Sequence, residues 1–402
     1  MRSSESAATG LQRKKHFSRR EIIQSLVATT LGAPAFLRKR YRVFAQEPIQ
    51  YSARAIRLVQ EATVLDMLNQ FRFADFSEDP PRSRRWLTVP ASFTEEDYEP
   101  YRNSGINVFA LGHGAGSYDD AVKYFADWNG FIAGYDEWFT RIDDAQDFDR
   151  VRANGKVGIL LTFQDSTHFR RVNDVNTFFA LGQRVSQLTY NFANRLGSGF
   201  LEQRDGGLTV FGGSILERMN EVGMGVDASH CADVTTLDVL EAAQKPVLYT
   251  HAGCRALLPD HMRNKTDEMI RKMAETGGVM GIAMLRFLVR DEEPVEIEHV
   301  LDHFGHVVRL VGVEHVGIGS DMDLIGNPNP VGGDMDPSQQ PNFERYKVHA
   351  DDDGNITIRG LDHAKRVFDL TEGLIRRGYN DDEIKLMLGG NFVRVLSEIW
   401  SG

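Results

Sequence analysis

Residues 223–251 read GMGVDASHCADVTTLDVLEAAQKPVLYTH, and this stretch sets the reading of the whole chain. Residues 223–229 form a short apolar run closed by a turn residue, the pattern of a buried strand. Residues 232–243 place Val234, Leu237, Leu240 and Glu241 at helical spacing, so the crossover is a helix. Pro246 then opens a second buried strand over 247–250. Each strand runs into a histidine, His230 after the first and His251 after the second. In parallel α/β architectures ligands collect at the carboxyl ends of strands, so these two histidines should face one pocket.

The same rhythm extends outward. Eight short apolar runs predict strands at 62–68, 106–111, 157–163, 185–188, 223–229, 247–250, 278–283 and 315–319. Helical patterns fall between or after them, at 118–139, 145–153, 213–221, 266–275, 297–310, 380–388 and 391–399. This is the order of an α/β fold of the (β/α)8 TIM-barrel type, one domain over residues 46–402. A Gly-, Pro-, Asn- and Asp-rich loop over 327–360 follows the eighth strand and is expected to cover part of the pocket.

Composition narrows the partners. Residues 1–45 carry ten Lys/Arg against Glu5 and Glu21, a local charge of +8; with a formal total of −11, the rest of the chain carries −19. A body that acidic argues against nucleic acid or an anionic membrane surface as partner. No run approaches the roughly 18–20 apolar residues of a stable membrane span. Ser18-Arg19-Arg20-Glu21-Ile22-Ile23, with the weakly apolar stretch to Leu37, resembles a twin-arginine export signal. Residues 1–45 are therefore expected to direct the chain out of the cytoplasm, to the periplasm or beyond, with cleavage after Ala35 or Ala45. The two cysteines, Cys231 and Cys254, each lie just behind a pocket histidine, as buried thiols or as a pair.

The strand ends carry the chemistry. Strand one ends Leu65-Asp66-Met67-Leu68-Asn69-Gln70, strand two leads to His113 and strand three to Gln164-Asp165. Strand four gives Thr189-Tyr190-Asn191, strands five and six His230 and His251, and strand eight Ser320-Asp321. Two neutral imidazoles and a carboxylate at one barrel mouth suit zinc. Asp321 can then act as general base and pass the proton to a leaving amine.

Seven ordered blocks tie these ends to a known pattern: residues 207–212 (GLTVFG), 219–224 (MNEVGM), 227–230 (DASH), 249–252 (YTHA), 263–264 (RN), 316–321 (VGIGSD) and 389–394 (GGNFVR). Over nearly all of residues 60–400 the chain resembles the membrane (renal) dipeptidase family of the amidohydrolase superfamily. The resemblance implies a (β/α)8 barrel and hydrolysis of dipeptides or dipeptide-like amides by two zinc ions. It implies that His230 and His251 ligate zinc, that Asp321 is the catalytic acid/base, and that Arg263 and Asn264 hold the substrate carboxylate. The metal pattern departs from the family: the first-strand His-x-Asp pair is replaced by Leu68 and Gln70, the bridging glutamate by Gln164, and a substrate-touching histidine by Tyr190.

Leucine cannot ligate and a neutral amide is a poor substitute for a carboxylate, so one zinc rather than two is expected, held chiefly by His230 and His251, with Asp321 and the Gln164 oxygen or water completing four-coordination. Asp66, His113, Asp165 and His168 are conceivable replacement ligands. The first functional reading is a single-metal hydrolase of a small dipeptide or amide with a free carboxylate. The alternative is an altered or non-hydrolytic homologue, either a metal-free enzyme or a binding or maturation protein for a modified peptide. The partners expected are that small substrate and, at most, a second copy of the chain as a homodimer.

Overall fold

The structure, a computed structural model, describes residues 51–71, 82–112, 117–324, 349–351 and 356–401. The export-signal reading, His113 and most of the loop over 327–360 lie outside them. The strands are Leu65–Asn69 (β1), Val108–Leu111 (β2), Phe139–Arg141 (β3), Val157–Leu160 (β4), Thr162–Phe163 (β5), Val185–Gln187 (β6), Gly225–Asp227 (β7), Val247–Ala252 (β8), Met280–Ile282 (β9) and Val316–Ile318 (β10). All eight expected strands are present, paired in parallel and alternating with helices, which is the (β/α)8 TIM-type architecture.

Hydrogen bonding does not close the ring. The order runs β3-β4-β2-β1-β10-β9-β8-β7-β6-β5, with β3 and β5 at its two ends. β4 and β5 are one stretch of chain interrupted at Leu161; β4 pairs with β2 and β5 with β6, so the backbone itself bridges the gap. β3 is an addition to the expected set. Residues 118–139 read as one helix, but the helix Tyr118–Gly134 stops at Gly134, and Phe139–Arg141 pairs with Val157–Ile159. The aromatic and β-branched run Trp138-Phe139-Thr140 favours an extended edge once glycine has ended the helix.

The strands read as continuous apolar runs because both faces are buried; every residue of β1, β2, β4 and β8 is buried. Side-chain caps set the outer helices: Thr209 accepts from Gly212 N at the start of Val210–Val222, and Thr266 accepts from Met269 N at the start of Asp267–Glu275. Gly223 belongs to the first of these helices. Its φ of 77° makes it a left-handed C-cap, so the strand expected at 223 begins at Gly225. No helix among the described residues is long and apolar enough to cross a membrane.

His303, buried on the helix Ile297–Val311, locks that helix to the mouth. Its Nδ1 accepts from Cys254 N at 2.9 Å and its Nε2–H donates to Val289 O at 3.0 Å. Burial pushes its pKa down to about 4. A histidine depressed in the folded state stabilises the fold at neutral pH, and that contribution is lost as pH falls from about 6.5 to about 4, at most about 3 kcal/mol. In urea unfolding across that window, the fall of stability with pH should be shallower in His303→Gln than in the unmodified protein. Equal slopes would contradict the assignment.

Candidate active site

The carboxyl ends of β7 and β8 are fastened by one buried carboxylate. Asp227 accepts from Ser229 N at 2.9 Å, Ser229 Oγ at 2.5 Å, Thr250 N at 3.1 Å and Thr250 Oγ1 at 2.6 Å. Because the Thr250 hydroxyl proton goes to Asp227, its oxygen meets His251 Nδ1, 2.9 Å away, as an acceptor. His230 Nδ1 lies 2.8 Å from Asn191 Oδ1. Both Nδ1 atoms therefore carry the proton, and the Nε2 lone pairs face each other at 3.0 Å. Burial, then the Arg263 charge for both and the His251 ring for His230, holds the imidazoles well below their usual pKa, so the pair is neutral.

Asp321 follows β10, whose end packs against the backbone of Thr250 and His251. At Gly319 a Cβ would stand 1.8 Å from Thr250 O, so only glycine lets β10 approach the His251 segment this closely. Two residues on, Asp321 adopts φ 57° and donates its N–H to Leu68 O at 2.9 Å. Its Oδ1 accepts from Gln70 Nε2 at 3.0 Å. Gln164 Nε2 approaches His251 Nε2 at 3.3 Å. Leu68 is buried, and its side chain and Gln164 Oε1 both border Gly112. Leu68, Gln70 and Gln164 thus sit around the imidazoles and the carboxylate as neutral groups.

Arg263 and Asn264 are fully buried. Arg263 Nη1 donates to Ser229 O at 2.5 Å and Nη2 to His251 O at 2.6 Å, while Nε is buried without a protein partner. Asn264 Nδ2 donates to Leu288 O at 3.0 Å. In this geometry Arg263 braces the backbone that carries both imidazoles, and Asn264 holds the backbone at Leu288. Tyr190 stacks on His230, ring centres 4.5 Å apart at 21°, and stays 39% exposed.

The conceivable replacement ligands hold structure instead. Asp66 is buried and accepts from Ser320 N at 2.8 Å, Ser320 Oγ at 2.6 Å and Asn69 Nδ2 at 3.1 Å, joining β1 to β10. Asp165 accepts from Thr167 N in its own loop and from Asn194 Nδ2 in the segment after β6, and His168 is wedged among Phe163, Phe169 and Phe178. Among the described residues, no group of three or more His, Cys, Asp or Glu side chains could hold a metal ion. Two converging neutral imidazoles could contribute two ligands to one ion. Cys231 and Cys254 are buried free thiols.

Residues the sequence reading passed over do much of the positioning. Asp227, Thr250 and Asn191 orient the imidazoles, and polar side chains inside apolar strands were the signal for the first two. Lys265 is buried behind His230, with Nζ donating to Cys231 O at 2.9 Å and Thr236 Oγ1 at 3.2 Å. Burial pushes its pKa down to about 7.

Residues 120–344 and 350–401 match the profile of the family described as membrane dipeptidase (Peptidase family M19). The chain belongs to the membrane dipeptidase family. Dipeptidase verJ of Clonostachys rogersoniana is 32% identical over 227 residues, 56% of this chain and 50% of that protein. Dipeptidase 3 of Rattus norvegicus is 26% identical over 231 residues, 56% of this chain and 41% of that protein. The chain spans about half the length of the curated relatives it matches. An amidohydrolase from Pseudomonas aeruginosa superposes with a TM-score of 0.71 at 26% identity, covering 87% of this chain and 99% of that one. The metallo peptidase from Rhodobacter sphaeroides liganded with a phosphinate mimic of the dipeptide L-Ala-D-Ala shares the fold, at a TM-score of 0.66, 18% identity, and 84% and 99% coverage.

Proposed function

We propose that this chain hydrolyses a small dipeptide or amide with a free carboxylate, using one zinc ion held by His230 and His251. The observation that carries the reading is the pair of facing Nε2 lone pairs at 3.0 Å, each ring pinned through its Nδ1. Two lone pairs so placed repel unless a cation or a proton lies between them. A bound divalent ion would supply Lewis-acid polarisation of the scissile carbonyl. Asp227, Thr250 and Asn191 keep both imidazoles in the ligating tautomer. Gln164 offers Oε1 as a third, neutral donor once its amide turns. Asp321, steadied by Gln70, takes up a proton and returns it to the leaving amine. Arg263 holds the backbone on which both imidazoles stand.

The test is a calorimetric titration of zinc into chelator-treated protein. About one equivalent should bind, and Gln164→Glu should bind more tightly, because an anionic ligand replaces an amide that donates to His251. Two equivalents, or none in either form, would reject this reading.

One observation favours a second reading. Gln70 donates to Asp321 and Gln164 donates to His251, so both groups are satisfied without a cation. A metal-free enzyme or binding protein for a modified peptide would show this arrangement and would bind no zinc.

Export through the twin-arginine route is part of the proposal, supported by Ser18-Arg19-Arg20-Glu21. Arg19→Lys with Arg20→Lys should keep the protein in the cytoplasm on cell fractionation, because the pair is read as an address and not as charge. Unaltered distribution would contradict it.

A further inference from the structure

Gln70 and Asp321 follow the paired strands β1 and β10, and each stands in the middle of a turn closed by the side chain before it. After β10, Ser320 Oγ accepts from Met322 N at 3.3 Å, with Asp321 between them. After β1, Asn69 Oδ1 accepts from Phe71 N at 2.9 Å, with Gln70 between them. Turns of this kind use a side-chain oxygen where a backbone carbonyl would otherwise serve. Both contain a left-handed residue with a Cβ, Asp321 at φ 57° and Phe71 at φ 47°. Such backbone persists only where the surrounding bonds hold it.

One residue fastens both turns. Asp66 is fully buried and accepts from Ser320 N at 2.8 Å on Oδ1. Its Oδ2 accepts from Ser320 Oγ at 2.6 Å and from Asn69 Nδ2 at 3.1 Å. The Ser320 hydroxyl proton reaches Leu68 O only at 3.3 Å, so its main acceptor is Asp66, and the oxygen lone pairs remain for Met322 N. Asn69 is likewise used at both ends of its amide, Nδ2 on Asp66 and Oδ1 on Phe71 N. Backbone bonds join the two segments, Asp321 N to Leu68 O at 2.9 Å and Gln70 N to Met322 O at 3.2 Å. The side chains in the middle of the turns then meet, Gln70 Nε2 donating to Asp321 Oδ1 at 3.0 Å.

We infer that Asp66 is the positioning residue of Asp321: through Ser320 and Asn69 it sets the backbone on both sides of the Gln70–Asp321 contact and so aims the Asp321 carboxylate. This rests on the reading of Asp321 as the proton carrier.

Asp66→Asn keeps the shape but offers one acceptor oxygen where the carboxyl group has two. With that oxygen on Ser320 N, the new Nδ2 faces the Asn69 amide, and the turn around Gln70 has to open. Ser320→Ala removes the turn around Asp321 and leaves Asn69 in place. On the zinc-supplemented protein, with L-Ala-L-Ala and L-Ala-D-Ala as substrates, each substitution should lower kcat by about ten- to hundredfold, the effect of misplacing a reacting group by about 1 Å. KM should stay within about twofold, because binding is not what the turns control. The deciding readout is a double-mutant cycle. In the Asp321→Asn background, Asp66→Asn should cost less than about twofold, since no proton carrier is left to aim. The same full loss in that background overturns the inference and leaves Asp66 a structural residue. So does a kcat in Asp66→Asn within about twofold of the unmodified protein. Should Asp66→Asn fail to fold, Ser320→Ala carries the same cycle. Failure of the underlying reading looks different: Asp321→Asn alone leaves kcat unchanged, or neither dipeptide is hydrolysed. Amide hydrogen exchange then decides whether Asp66 holds the two turns. In Asp66→Asn, exchange at Phe71 and Met322 should rise about tenfold or more while Val226 and Leu248 are unchanged, and unaltered exchange at the first pair overturns the inference.

Discussion

Asp321→Asn should lower amide hydrolysis by about 10²- to 10⁴-fold, the usual contribution of a positioned acid/base. The substitution is unusually clean at this position. Asp321 sits at φ 57°, and asparagine is among the few residues that tolerate the left-handed region as readily as aspartate. An asparagine Oδ1 can still accept from the Gln70 amide, and the backbone N–H still reaches Leu68 O. What disappears is the ability to bind and release a proton. Steady-state kinetics should therefore show the loss in kcat, with zinc stoichiometry and unfolding midpoint close to the unmodified protein. A variant that retains its kcat within about threefold would remove Asp321 from proton transfer.

Arg263→Met should destabilise the fold by about 3–5 kcal/mol, at the upper end of single-substitution effects. The Arg263 guanidinium is fully buried and bridges Ser229 O and His251 O, the backbone behind each imidazole. Methionine fills much of the volume but leaves both carbonyls without donors, each at a cost of about 1–3 kcal/mol. Urea unfolding measures the effect directly. A variant of unchanged stability whose only defect is a raised KM for substrates with a free carboxylate would instead make Arg263 a ligand clamp with no bracing duty. Arg263→Lys should recover little in either case, since one ammonium cannot reproduce a fork that spans two strands.

The two substitutions probe different layers of the same site. Gln70 donates to Asp321, and Gln164 donates to His251. Their amides can hold a carboxylate or an imidazole without contributing charge.

Much of this was legible in the chain itself. Strand runs buried on both faces are apolar throughout, so the eight barrel strands, and the histidines that end two of them, stood out without coordinates. Blocks such as 227–230 and 316–321 pointed to the family whose profile matches residues 120–344 and 350–401. A ligand's residue type is a local property, and sequence records it directly.

Tertiary structure alone decided how those residues are used. Asp227 and Thr250 gain their meaning from a contact between neighbouring strands that fixes the tautomer of His251. Arg263 reads as a clamp for a substrate carboxylate until its Nη atoms are seen on two backbone carbonyls. Phe139–Arg141 reads as the end of a helix until β4 offers it an edge to pair with. Periodicity and residue chemistry act along the chain, whereas tautomers, buried donors and edge pairing depend on partners tens to hundreds of residues away; Gln70 meets Asp321 across 251 positions. The sequence determined the barrel and which groups reach its mouth; packing determined which of them face a ligand and which hold the wall behind it.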